Sequence, residues 1–126
     1  LPANALTGVS VGAALNMMRM GITKLEPGCL SGLVVGGKLR LGGNALGHLA
    51  AGAFAGVSVL APNPDDALEL DAAGITGISA GVFDGAALTN VIANDNELGE
   101  LEAHTFAGVS LSLLKLDNAG ITRLAP

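Results

Sequence analysis

A phrase of Phe or Leu, any residue, then Gly returns five times along the chain. It occurs as Leu6-Thr7-Gly8, Leu30-Ser31-Gly32, Phe54-Ala55-Gly56, Phe83-Asp84-Gly85 and Phe106-Ala107-Gly108, at intervals of 24, 24, 29 and 23 residues. Ile22, Leu46, Ile75, Leu98 and Ile121 form a second column, at 24, 29, 23 and 23. A third runs through Leu1, Leu25, Leu49, Ile78, Leu101 and Leu124. All three place the one long interval between Phe54 and Ile75, an agreement that unrelated residues would not produce. Periods of this size mark units that bury their apolar face only against a neighbouring unit. The expected organisation is one domain over 1–126 with about five repeats, at 1–24, 25–48, 49–77, 78–100 and 101–126, and an insertion near 61–66.

Ahead of each Ile/Leu stands an apolar pair with one residue between: Leu15/Met17, Leu39/Leu41, Leu68/Leu70, Val91/Ala93 and Leu114/Leu116. That alternation is the period of a short strand with one buried face. No segment carries apolar residues at i, i+3, i+4 and i+7 over the ten or more residues a helix needs. Nineteen glycines also argue against a helical bundle, since each costs about 1 kcal/mol in a helix interior. Each repeat is expected to add one parallel strand, with strands about 4.8 Å apart. The Phe of each phrase is expected to close the opposite wall, made of loop or 3₁₀ turn because stretches such as 50–55 are too short for a stable helix.

The combined pattern, L-x-x-L-x-L-x-x-N-x-L-x-x-L closed by F-x-G-L, resembles leucine-rich repeats. The fourth repeat carries it best, through Leu88, Val91, Ala93, Asn96, Leu98, Leu101, Phe106 and Gly108. The F-x-G ending is similar to the class of about 24 residues seen in extracellular receptors and matrix proteins. The resemblance implies an α/β right-handed curved solenoid, with short parallel strands on the concave face and loops or 3₁₀ turns on the convex one. It also implies a non-enzymatic module that binds a protein partner at an extracellular or cell-surface location. One departure stands out. The family's asparagine column reads Met20, Asn44, Ala73, Asn96 and Ala119. The ladder is therefore expected to be broken, with its turns left to backbone or water.

Composition narrows the classes further. The net charge is −5, and six scattered Lys/Arg make no basic patch, which argues against nucleic acid and anionic membranes. Residues 41–64 lack charge but are interrupted by Asn44, His48, Asn63 and two prolines, unlike a transmembrane helix. The start lacks the basic region of a signal peptide, and no Asn-x-Ser/Thr acceptor is present. The lone Cys29 reads as a small buried hydrophobe. No nucleophile motif is recognisable, Gly36-Gly37-Lys38 lacks the spacing of a phosphate loop, and His48 and His104 fall on turn or convex positions. No enzyme activity and no cofactor is expected.

Strand alternation puts the residues beside each buried pair on the open face. These are Asn16, Arg40, Glu69, Ile92 and Lys115, then Met18, Gly42, Asp71, Asn94 and Asp117. The expected partner-binding set is Lys38, Arg40, Glu69, Asp71, Ile92, Asn94, Asp95, Lys115 and Asp117. Arg40 should stack on Glu69, and Asn94 should separate Asp71 from Asp117. An ordinary solvated face remains the alternative, as does a calcium site at Asp71, Asp95 and Asp117, although no calcium-loop motif accompanies them.

The segment Ala61-Pro62-Asn63-Pro64-Asp65-Asp66 reads as a turn-rich insertion, with a contact loop as its functional alternative. Leu1 and Leu124 share a column, so the chain begins and ends at one phase of the repeat. A fragment of a longer repeat protein, head-to-tail self-association of uncapped ends and an unrecognised cap all remain open.

Overall fold

The computed structural model describes residues 5–59, 67–101, 105–106, 111 and 113–124. Among them are thirteen short strands. Five of these form one parallel sheet: β2 (Leu15–Asn16), β4 (Leu39–Arg40), β7 (Leu68–Glu69), β10 (Asn90–Ile92) and β12 (Leu113–Lys115), with chain order preserved across it. Leu15, Leu39, Leu68, Val91 and Leu114 lie side by side. Partners thus sit 24, 29, 23 and 23 residues apart, the spacing of the sequence columns. Every strand pair among the described residues is parallel, so the fold is repeat-like and held by contacts between repeats. We number the repeats one to five by these strands.

Two further faces complete the framework. β1 (Ser10–Val11), β3 (Val34–Val35), β6 (Ser58–Val59) and β9 (Ala87–Leu88) form a four-stranded parallel sheet. β5 (Gly47–Leu49) pairs with β8 (Ile75–Ile78), and β11 (Gly99–Leu101) pairs with β13 (Ile121–Leu124). Repeats two to four therefore contribute strands to three faces, where one strand per repeat was expected.

The remaining wall is built of turns. Leu33, Val57 and Ala86 donate their amides to the carbonyls of Leu30, Phe54 and Phe83, closing each F-x-G phrase three residues back. Gly32, Gly56 and Gly85 take φ of 81°, 72° and 67° at the third position, the left-handed geometry that such turns demand. A left-handed residue at this interval cannot propagate a helix. No α- or 3₁₀-helix occurs among the described residues, so of the loops or 3₁₀ turns expected on this wall the described ones are loops and turns, and the expected α/β class is corrected to strands and turns.

The core lies inside these faces. Leu39, Leu68 and Val91 are buried, as are Leu41, Leu70 and Ala93 one step on, and Val35, Val59 and Leu88 from the four-stranded sheet. Leu46, Ile75 and Leu98 are buried in the second column, while Ile22 and Ile121 at its ends are half-buried. Leu114 departs from its column and is 37% exposed, because β12 is the sheet's edge strand. Phe54, Phe83 and Phe106 stack along the turn wall with centroids 5.7 and 5.6 Å apart, near-parallel contacts that add to the area they bury. The insertion at 61–66 and His104 lie outside the described residues. No helix among the described residues is long and apolar enough to cross a membrane.

Candidate binding face

The five-stranded sheet presents Asn16, Arg40, Glu69, Ile92 and Lys115 in one row, because strand alternation turns outward the residue after each buried one. Arg40 and Glu69 are register partners, and Arg40 Nε lies 3.1 Å from Glu69 Oε2. Neither atom makes an in-line hydrogen bond, so the attraction is mainly that of two adjacent charges. Ile92 stands between Glu69 and Lys115 and is half-buried, whereas Lys115 is exposed. Lys38 is half-buried just ahead of β4.

The next column is tied down by hydrogen bonds between repeats. Asp71 Oδ1 accepts the Asn94 amide at 2.9 Å, and Asn94 Oδ1 accepts the Asp117 amide at 2.7 Å. Asn118 Nδ2 donates to Asp95 Oδ1 at 2.9 Å. These polar side chains therefore couple neighbouring repeats as well as facing solvent. Asp71, Asp95 and Asp117 do not converge into a group that could hold a metal ion.

Met18, Arg40, Gly42, Glu69 and Asp71 line a shallow depression of about 50 Å³. A Cβ on Gly42 would come within 2.5 Å of the Asp71 carbonyl oxygen, so the close approach of these two repeats needs glycine there. The depression holds one side-chain tip and falls well short of the roughly 300–1,000 Å³ of small-molecule sites.

Beyond this face, His48 lies on β5 rather than on a turn. It is exposed, with Nε2 2.6 Å from Ser79 Oγ. Cys29 is fully buried, its Sγ 3.9 Å from the Ala53 carbonyl oxygen, and burial raises its pKa above the usual thiol value.

The asparagine column corrects the expectation of unsupported turns. Asn44 Oδ1 accepts the amides of Met20 and Ile22 at 3.0 and 3.1 Å, and its Nδ2 donates to the carbonyls of Met17 and Leu41. Asn96 does the same for repeat three. It accepts from Ala73 and Ile75 at 3.1 Å each and donates to Leu70 and Ala93. Each asparagine thus serves its own turn and that of the preceding repeat, which lacks one. Sequence reasoning treated the column as broken, although Asn at alternate positions was visible. So was the matching switch between Gly-Ile-Thr at 21–23, 74–76 and 120–122 and Leu-Gly at 46–47 and 98–99.

Compared with protein families, characterised proteins and solved structures, the chain matches none.

Proposed function

We propose that this chain is a right-handed leucine-rich-repeat solenoid, and that it acts as a non-enzymatic module binding a protein partner through the five-stranded face. The observation that carries this reading is the in-register row Asn16, Arg40, Glu69, Ile92 and Lys115. A parallel sheet with strands about 4.8 Å apart sets these side chains on a firm lattice, so an extended surface is presorted without a deep pocket. Contact would centre on Arg40 and Ile92, a guanidinium and an aliphatic group near the middle of the row. Interfaces usually draw most of their energy from a few such anchors. With no aromatic residue in the row, binding by these residues alone is of modest strength.

The test compares partners cross-linked to the wild-type chain with those cross-linked to an Arg40→Glu/Ile92→Lys chain and to a control altered at Ser58→Lys and Ala87→Lys on the four-stranded sheet. The reading expects a partner that is lost with the first pair and kept with the second. Cross-linked partners indifferent to Arg40 and Ile92 contradict it. The competing reading is a structural element that assembles head-to-tail through open strand edges, supported by the exposure of Leu114 on β12. It requires a sedimentation coefficient that rises with concentration.

A further inference from the structure

In the column Met18, Gly42, Asp71, Asn94 and Asp117, side chains satisfy backbone amides one repeat ahead. Asp71 Oδ1 accepts the Asn94 amide at 2.9 Å, and Asn94 Oδ1 accepts the Asp117 amide at 2.7 Å. The same role toward Asp71 falls to position 42, where glycine has no oxygen to offer. The Asp71 amide lies just beyond β7 and has no acceptor among the described residues. The ladder of side chains therefore skips one rung, between repeats two and three.

Packing keeps that rung empty. A Cβ at position 42 would stand 2.5 Å from the Asp71 carbonyl oxygen and 3.5 Å from Met18 Cε, so no side chain of this chain fits there without moving backbone. The depression of about 50 Å³ lined by Met18, Arg40, Gly42, Glu69 and Asp71 is the space left over. Gly42 is buried, and the other four residues are half-buried around it.

The lining groups decide what can enter. Arg40 brings one positive charge, and Glu69 and Asp71 bring one negative charge each. A carboxylate tip could accept the Asp71 amide but would face two carboxylates at close range, where like charges repel. An ammonium tip suits those carboxylates but has nothing with which to accept the amide. A carboxamide is uncharged, with an oxygen that accepts and a nitrogen that donates twice. Its oxygen can take the Asp71 amide as Asn94 Oδ1 takes that of Asp117, while its nitrogen donates to the Glu69 or Asp71 carboxylate. The Met18 side chain gives the methylenes that carry such a group an apolar flank. We infer that this depression recognises a side-chain carboxamide, an asparagine or glutamine that the protein partner places at the skipped rung. The inference rests on the five-stranded sheet being the binding face. It goes further by naming the chemistry that enters between repeats two and three.

The test follows the Asp71 amide of the intact chain by NMR during titration with acetamide, acetate or methylammonium. Acetamide should move its resonance along a saturating curve, and the two ions should give shifts several times smaller. Met18→Gln, a change of nearly equal length, brings a carboxamide into the depression from the neighbouring repeat. That variant should slow exchange of the Asp71 amide about fivefold relative to Met18→Leu, and should no longer respond to acetamide. The proposal is overturned by an acetate or methylammonium response as strong as that to acetamide, or by no saturating shift with any of the three. Equal exchange in Met18→Gln and Met18→Leu, or an acetamide response that persists in Met18→Gln, also overturns it. Loss of a cross-linked partner with Arg40→Glu/Ile92→Lys is a separate readout, so the binding face can stand where the carboxamide site fails.

Discussion

Asn96 completes a turn that belongs to Ala73. Its carboxamide oxygen accepts the Ala73 amide 3.1 Å away, across 23 residues of sequence, while its nitrogen donates to Leu70 of the same repeat. Asn96 is 4% exposed and Ala73 is fully buried, so no solvent can replace either bond. Asn96→Ala strands the amides of Ala73 and Ile75 together with the carbonyls of Leu70 and Ala93. Each buried group left without a partner costs about 1–3 kcal/mol. A loss on the order of 3 kcal/mol or more is expected in urea unfolding, with disturbed amide shifts in repeat three as well as repeat four. A loss confined to repeat four would show that the carboxamide does not serve two repeats.

Gly74 and Gly47 separate backbone strain from close packing. Both are left-handed, at φ 69° and 67°, but a Cβ on Gly74 would meet Asn44 O and Ala45 Cα at 2.9 Å whereas Gly47 has open space. Gly47→Ala should cost about 1–2 kcal/mol from the left-handed geometry alone. Gly74→Ala should cost clearly more, because backbone must also move. Equal melting temperatures for the two variants would contradict the packing between repeats two and three.

Along the turn wall Phe83 is the middle ring of three, stacked on both Phe54 and Phe106. Phe83→Ala should destabilise the chain by about 3–5 kcal/mol. Phe106→Ala should cost less, since that ring is only half-buried. Calorimetry giving the reverse order would place the stack elsewhere.

The Cys29 thiol is sealed in the core, and burial lifts its pKa above the usual 9.0. Neutral thiol is therefore favoured by folding. Its contribution to stability is fully present below pH 9.0 and is lost as pH rises through the higher folded value. A thiol reagent at neutral pH should modify Cys29 only at the rate of unfolding, and Cys29→Ala should flatten the alkaline fall in stability. Rapid labelling of the native chain would contradict the burial.

Arg40 and Glu69 provide a contrast between stability and recognition. Their side chains are 39% and 19% exposed, and pairs at a surface contribute at most about 1 kcal/mol. Arg40→Ala should therefore leave the thermal midpoint nearly unchanged while weakening any partner that uses the five-stranded face. A large loss of stability would recast the pair as structural.

The sequence columns made much of this legible because a parallel repeat writes the same packing demand at the same phase each time. Leu39, Leu68 and Val91 could be placed side by side, and Arg40 opposite Glu69, from intervals alone. The four-stranded sheet was hidden, since Val34, Ser58 and Ala87 carry no alternation longer than two residues. Left-handed glycines every few residues favoured turns over 3₁₀ geometry, but only the dihedrals distinguish the two. The double duty of Asn44 and Asn96 was missed for a physical reason. A column read one repeat at a time cannot show that a side chain satisfies the turn before its own. The candidate face was nameable residue by residue, yet the bonds that tie Asp71 to Asn94 and Asn94 to Asp117 depend on backbone positions that spacing does not specify.

The most direct test of the account is a solution NMR measurement of through-space contacts between backbone protons of the five-stranded sheet. Neighbouring strands in register should give cross-peaks linking Leu15 to Leu39, Leu39 to Leu68, Leu68 to Val91 and Val91 to Leu114, with no helical pattern among the described residues. Cross-peaks that pair these residues in another register, or antiparallel contacts among them, would show that the repeats do not stack on one shared core.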